Sequence, residues 1–443
     1  MTVRNIKNIT PIKIKDPTYV DLYSPWDLKK IGKVECISKK EVDKILDVSS
    51  NAFKNNKKYL SKIKRLEILK NCRNKLLKNS RKFANIIALE GGKPLKDSKI
   101  EVERAVNGLE LCAEALKKSH GTEIPMNINS ASVNKIAFTR KFPVGPVLAI
   151  SAFNHPLNLV IHQIGPAIAA GCPIIIKPSL ETPVSCYEFI KLLLESGLPK
   201  EFCQMINIKN HIITQKFVKD PRISFLSFIG SSDVGWKLKA MMPPGAKCAM
   251  EHGGVGSVII DKDADMKKIL PSIMRGAFYH AGQVCVSIQK VIIHEDLIDE
   301  FTELIKKAIL KIKVGDPRKI TTDVGPLIRP SEVKRIDKVI KKSISEGAEL
   351  ICGGFAKNET TYECTVLKNP KENSKVSSHE IFGPVLCLYS YNTIDEAIQK
   401  ANHDKFAFQS SVYTKNIDTA ILCYENLDAK SVFINEQTAF RVD

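Results

Sequence analysis

Between Val147 and Phe228 short, unbroken apolar runs alternate with segments of helical character, and this constrains the fold more than any other feature. The runs are Val147 to Phe153, Ile174 to Ile176, Gln204 to Ile208 and Ser224 to Phe228, with an apolar helix from Asn158 to Ala170 between the first two. A strand apolar on both sides must be covered on both faces, which predicts a parallel sheet between two helical layers. Ligands of such sheets collect where the strands end at their carboxyl edge. Asn154, Lys177 and Gly230 fall at such ends.

A second series follows Gly253-Gly254: strand Val258 to Ile260, a helix near Leu270 to Tyr279, strand Lys290 to His294, and helix Asp299 to Lys313. Upstream, Glu41 to about Lys118 reads as helical, with Leu66, Leu69, Cys72, Leu76 and Leu77 at helical spacing and Gly91-Gly92 as punctuation. Val133 to Lys141 alternate like an exposed strand. No internal repeat or linker-like segment stands out.

A chain of 443 residues suits two domains with small appendages. Its 44% hydrophobic and 26% charged residues are those of a soluble globular protein. No run approaches the ~18 apolar residues of a membrane span, and MTVRNIKNITPIKIK lacks the apolar core of a secretion signal. The expectation is a cytoplasmic protein with no membrane partner. Twelve cysteines without a CxxC pair point to a reducing compartment and to no metal site.

The net charge of +19 raises the question of nucleic acid. The lysines, however, run the whole length interleaved with acids, as in EDLIDEFTELIKKAILKIK, so solvated faces are the better reading. No nucleic-acid partner is expected. A basic surface would still attract anionic substrates.

Cys285, in HAGQVCVSIQK, and FIGSSDV, Phe228 to Val234, carry the chemistry that can be read locally. A free cysteine is commonly a buried small hydrophobe; as a nucleophile it needs an activated thiol and donors for the oxyanion it creates. In FIGSSDV, Ser231 is a good N-cap for a helix holding Trp236, Leu238 and Met241, and a helix start attracts anions. A capped turn without a ligand fits the same residues. Neither GxGxxG nor a Walker A sequence is present.

Taken together, PVGPVLAISAFNHP, GCPIIIKPS, FIGSSDVG, MEHGGVG, AGQVCVSIQ, VGDPRKITTDVGPLI and HEIFGPV, in this order, resemble the aldehyde dehydrogenase superfamily from roughly Ile31 to Asp443. The resemblance implies an aldehyde dehydrogenase-like α/β fold. It would have two parallel-sheet domains, a Rossmann-like cofactor domain and a catalytic domain, plus a small oligomerisation hairpin. In this chain these would be 1–121 with 142–252, 253–443, and 122–141. It also implies NAD(P)-dependent oxidation of a small aldehyde to its carboxylate. Cys285 matches the nucleophile, Asn154 the amide that holds the oxyanion, and Glu251 the base that activates water. Lys177 matches the contact to the adenosine ribose and Glu380 that to the nicotinamide ribose. Gly230 and Ser231 match the pyrophosphate turn, and Ser179 and Phe382 count as further cofactor-binding residues. The partners implied are an aldehyde and further copies of the chain, as homodimer or homotetramer.

The chain departs from that pattern in four places. Leu180 stands where many NAD-preferring members carry glutamate, with Glu181 one step on, so NAD and NADP both stay open. His155 follows Asn154, and His252 precedes Gly253-Gly254; each tunes the site or simply packs. Arg104 and Arg441 resemble arginines that hold an anionic group of the substrate, whereas Val284 precedes the nucleophile. An aldehyde with one anionic group, near the phosphonoacetaldehyde branch, is expected, with lactaldehyde-type substrates as rival. Family members continue for some tens of residues past Asp443, so the family's C-terminal tail is expected to be missing here. Release of the acyl group to coenzyme A, or a catalytically silent nucleotide-binding homologue, are the alternative functions.

Overall fold

The computed structural model describes residues 5–55 and 60–439. Strands β1 (Thr18–Tyr23) and β2 (Lys30–Cys36) form an antiparallel hairpin that the sequence reading does not anticipate. Its inward residues Leu22, Val34 and Cys36 join the first core. Four helices follow: Val42–Lys54, Lys62–Lys78, Ser80–Gly91 and Leu95–Lys117. Gly92 ends the third in a left-handed conformation, φ +68°, where a Cβ would meet Pro326 Cγ at 2.7 Å and Pro25 Cγ at 2.9 Å. Strands β3 (Glu123–Ile124) and β4 (Ala137–Phe138) pair antiparallel; only these two residues of Val133 to Lys141 are strand.

The expected parallel sheet is present. Strands β5 (Val147–Ile150), β6 (Ile174–Lys177), β7 (Cys203–Met205), β8 (Phe225–Gly230) and β9 (Lys247–His252) run parallel in the order β7-β6-β5-β8-β9. Its two faces separate by alternation along each strand. Val147, Ala149, Ile174 and Ile176 pack with Val160, Ile161, Ile164 and Ile168 of helix Asn158–Ala170. Leu148, Ile175 and Leu226 pack on the other side against Ile45, Leu46 and Phe217. Each fully buried isoleucine contributes about 1.5–3 kcal/mol relative to exposure. Edge strand β9, KCAMEH, has no fully buried residue and only three apolar ones in a row, and is missing from the sequence reading for that reason.

The second sheet holds β10 (Gly256–Ile260), β11 (Ile288–His294), β12 (Glu349–Cys352), β13 (Thr365–Lys368), β14 (Val385–Tyr391), β15 (Gln409–Tyr413) and β16 (Ser431–Ile434). The order is β12-β13-β14-β11-β10-β15-β16. All neighbours are parallel except β12 and β13, so the sheet is mixed at that edge. The link between these two strands contains no helix to carry the chain back across the sheet, so β13 returns antiparallel. The two sheets join through Gly253, Gly254 and Val255. A Cβ on Gly254 would run into the Phe406 carbonyl oxygen. No described helix is long and apolar enough to cross a membrane.

Candidate active site

A cavity of about 1140 Å³ lies between the two sheets. From the first sheet and its helices it receives Arg104, Asn154, His155, Ser179, Gly230, Ser231 and Glu251; from the second, Cys285, Glu380 and Phe382. Residues singled out across nearly the whole sequence thus face one space. Lys177 does not line it, and Arg441 lies outside the described residues.

The thiol is carried by a tightly specified loop. His280, Ala281 and Gly282 are all left-handed, with φ of 49°, 55° and 67°, and the first two carry side chains that disfavour it by roughly 1–2 kcal/mol each. What holds them there is Gln283, which is fully buried and fully bonded. Its Nε2 donates to the His280 and Pro326 carbonyls, both at 3.2 Å, and its Oε1 accepts from Ile328 N at 2.9 Å. Two residues on, Cys285 is half-buried between buried Val284 and Val286. Elsewhere burial disfavours thiolate. It pushes Cys36 and Cys112 up to about 11 and Cys72, Cys203, Cys387 and Cys423 up to about 12.

Asn154 follows β5 and is 3% exposed. The helix entered just after it, Asn158–Ala170, has no side-chain cap of its own. A carboxylate from another helix takes that place. Glu101 accepts from Leu157 N at 3.0 Å and from Asn158 N at 3.1 Å, and Lys93 ion-pairs with Glu101 where both side chains are wholly buried. Beside them the His155 Nε2 meets the Tyr279 hydroxyl at 3.4 Å. Burial, reinforced by Lys93, holds both His155 and His280 well below the ordinary imidazole range, so both are neutral near pH 7.

The two cavity carboxylates differ in setting. Glu251, near the end of β9, sits 3.6 Å from Lys430 Nζ. Glu380 is partly buried, and its Oε1, shielded from solvent, has no hydrogen-bond partner. Burial pushes its carboxyl up to about 7, opposed only by Arg335. A Cβ on Gly253 would run into that same Oε1, so this backbone position must be glycine for the carboxyl to stand where it does. Phe382, itself left-handed at φ 51°, meets Phe153 edge to face at 5.7 Å.

At the carboxyl edge of the first sheet, Ser231 occupies the N-cap position of helix Ser232–Lys239 in extended conformation, but its side chain accepts no capping bond. The expected cap is therefore positional only, and the first-turn amides keep their donor capacity. The helix also ends before Met241. Lys177 closes β6 with Nζ 3.4 Å from the Pro178 carbonyl, its ammonium pKa depressed by burial. Leu180 packs on the first core. Glu181 turns to Ser179 Oγ at 2.6 Å and to Arg329 at 2.8 Å, and Arg329 also pairs with Glu332 at 3.1 Å.

Lys93, Glu101, Gln283, Arg329, Arg335 and Lys430 escape the sequence reading. Each acts through a partner remote in sequence, for which no local spacing gives a signal. Among the described residues no group of three or more His, Cys, Asp or Glu side chains is arranged to hold a metal ion.

An α/β chain whose two sheets enclose a thiol, an amide and two carboxylates beside an open helix start has the layout of an oxidoreductase. The model of the aldehyde dehydrogenase family matches residues 13–443. The chain belongs to this family. It is 32% identical over 424 residues to a 3-sulfolactaldehyde dehydrogenase of Priestia aryabhattai, covering 96% of this chain and 88% of that protein. It is 34% identical over 430 residues to a lactaldehyde dehydrogenase of Methanococcus maripaludis, covering 96% and 90%. The crystal structure of glyceraldehyde-3-phosphate dehydrogenase GapN from Methanocaldococcus jannaschii complexed with NADP superposes with a TM-score of 0.91, at 32% identity, over 97% of this chain and 92% of that one.

Proposed function

We propose that this protein oxidises a small anionic aldehyde to its carboxylate with NAD or NADP. The thiolate of Cys285 attacks the aldehyde carbon, and the carbonyl electron pair moves onto oxygen, where the Asn154 side-chain amide and the Cys285 N–H receive it. Bound NAD(P)+ supplies the hydride acceptor. Loss of hydride from the thiohemiacetal restores the carbonyl as a thioester on Cys285. Glu251 takes a proton from water as its oxygen attacks; the C–S bond breaks, its electron pair returns to sulfur, and the acid leaves ionised.

The observation that carries this reading is the convergence of Cys285, Asn154, Glu251 and Glu380 on one cavity. The cofactor fits on the chain's own geometry. Glu380 offers an unpartnered buried acceptor for ribose hydroxyls, and the first turn of helix Ser232–Lys239 offers uncapped amides for a pyrophosphate. With Leu180 apolar and the Glu181 carboxylate engaged by Ser179 and Arg329, no carboxylate is left to repel a 2′-phosphate. Arg104 in the cavity wall, and a relative acting on a sulfonated aldehyde, support the anionic substrate. The two separate sheets support the division into a cofactor domain, a catalytic domain and a hairpin at 122–141. Exposed Ile128, Ile136 and Phe138 on the hairpin fit a homo-oligomeric contact.

The test is formation of reduced nicotinamide with sulfolactaldehyde, lactaldehyde and phosphorylated aldehydes, each with NAD and NADP. Cys285→Ala should abolish it, and Glu251→Gln should give one hydride burst followed by slow turnover. No activity with any aldehyde, or steady turnover in Glu251→Gln, would overturn the assignment.

A further inference from the structure

Among the described residues Glu251 has one ion-pair partner, and it comes from the other sheet. Lys430, the residue before β16, holds its Nζ 3.6 Å from Glu251 Oε2, within ion-pair reach but past a good hydrogen bond. The same ammonium lies 5.2 Å above the Phe408 ring, which limits where it can swing. Both Glu251 and Lys430 line the main cavity. Lys430, Gly253 and Phe408 also wall a smaller cavity of about 200 Å³ next to it. The lysine therefore stands in a partition, with the carboxylate on the thiol side.

We propose that Lys430 is a positioning residue for the hydrolytic half of the reaction, its ammonium holding the Glu251 carboxylate aimed into the cavity that contains Cys285. This rests on the reading of Glu251 as base. A glutamate side chain turns about three bonds, and a carboxylate near a half-exposed strand end samples several directions in water. A cation fixed on the opposite body selects the direction that crosses the cleft. During hydrolysis the water proton goes to Glu251, the C–S electron pair goes to Cys285, and Lys430 keeps its own protons throughout.

Other charged groups near Glu251 do not duplicate this arrangement. His252, next on β9, turns its Nδ1 to the Gly253 carbonyl at 3.0 Å. Lys405 and Asp428 wall the smaller cavity. Cys285 is on the nucleophile loop, Glu380, between β13 and β14, turns its carboxyl to Gly253, and Arg335 comes from helix Pro330–Ser345. Neighbouring strand β8, FLSFIG, contributes no titratable side chain.

The experiment compares Lys430→Met and Lys430→Arg with the parent protein, reading the hydride burst and the later turnover separately across pH. Lys430→Met should leave the burst intact and slow the thioester step about 3- to 10-fold, the size expected of a partly exposed pair. Lys430→Arg should restore the thioester step, and about 1 M salt should slow that step in the parent protein. In a Glu251→Gln background Lys430→Met should have no further effect. An unchanged thioester step, or an equal loss in both backgrounds, would overturn the role of Lys430. Normal turnover of Glu251→Gln alone would instead overturn the base assignment, so the two failures are told apart.

Discussion

Glu380 combines an unpartnered oxygen with a carboxyl shifted from its ordinary 4.5 up to about 7 by burial. Ribose hydroxyls donate hydrogen bonds and so favour the ionised form, which means that cofactor binding lowers this pKa and releases a proton near neutrality. Affinity for NAD(P) should therefore rise with pH through about 7. Calorimetric titrations in buffers of different ionisation enthalpy would detect the proton, and Glu380→Gln should lose both the release and the pH dependence. The sign for folding is opposite. A carboxyl pKa raised in the folded state contributes stability that is complete below its unfolded value and lost as pH climbs through about 7. Gly253→Ala should displace the same carboxyl, weakening cofactor binding at least tenfold, equivalent to about 1.4 kcal/mol, with little change in melting temperature; equilibrium binding and thermal unfolding measure the two. At this scale Cys285, Asn154, Glu251 and Glu380, which meet in the cavity, were legible as candidates, because each sits inside a recurring local string. Lys430 and Gln283 were not, because what defines them is a partner brought up by folding.

Among the elements, helix Asn158–Ala170 matches its expected span, since its apolar positions, the turn before it and Gly171 after it all lie in local sequence. The device that holds its start does not. Glu101 caps the helix from another helix, and Lys93 neutralises Glu101 in a site closed to water. Removing one member leaves an uncompensated buried charge. Glu101→Ala should cost about 3–5 kcal/mol in denaturant unfolding, while Lys93→Met combined with Glu101→Leu should cost less than the sum of the single changes. The short buried strands of the first sheet were readable from apolar runs. Hairpin β1–β2 and edge strand β9 were not, because one side of each faces water or loops and the apolar signal is broken.

At the level of the whole molecule, the two sheet-bearing bodies were visible as two α/β series parted by Gly253-Gly254, but the contacts across their cleft were not. Arg329 crosses it to Glu181 at 2.8 Å while also holding Glu332. These side chains are partly exposed, so the strap is worth at most about 1 kcal/mol. Arg329→Ala should accelerate cofactor release roughly 2- to 5-fold in stopped-flow displacement, and high salt should erase the difference.

The joint at Gly253-Gly254 lies two residues beyond Glu251. If the bodies swing apart about that joint, points far along each lever arm travel ångströms while points beside the axle barely shift. Glu251, the proposed base, would then keep its place near the pivot as the mouth widens. Glu380, whose carboxyl lies against Gly253, would share that quiet position, so its hold on a sugar would outlast the opening stroke.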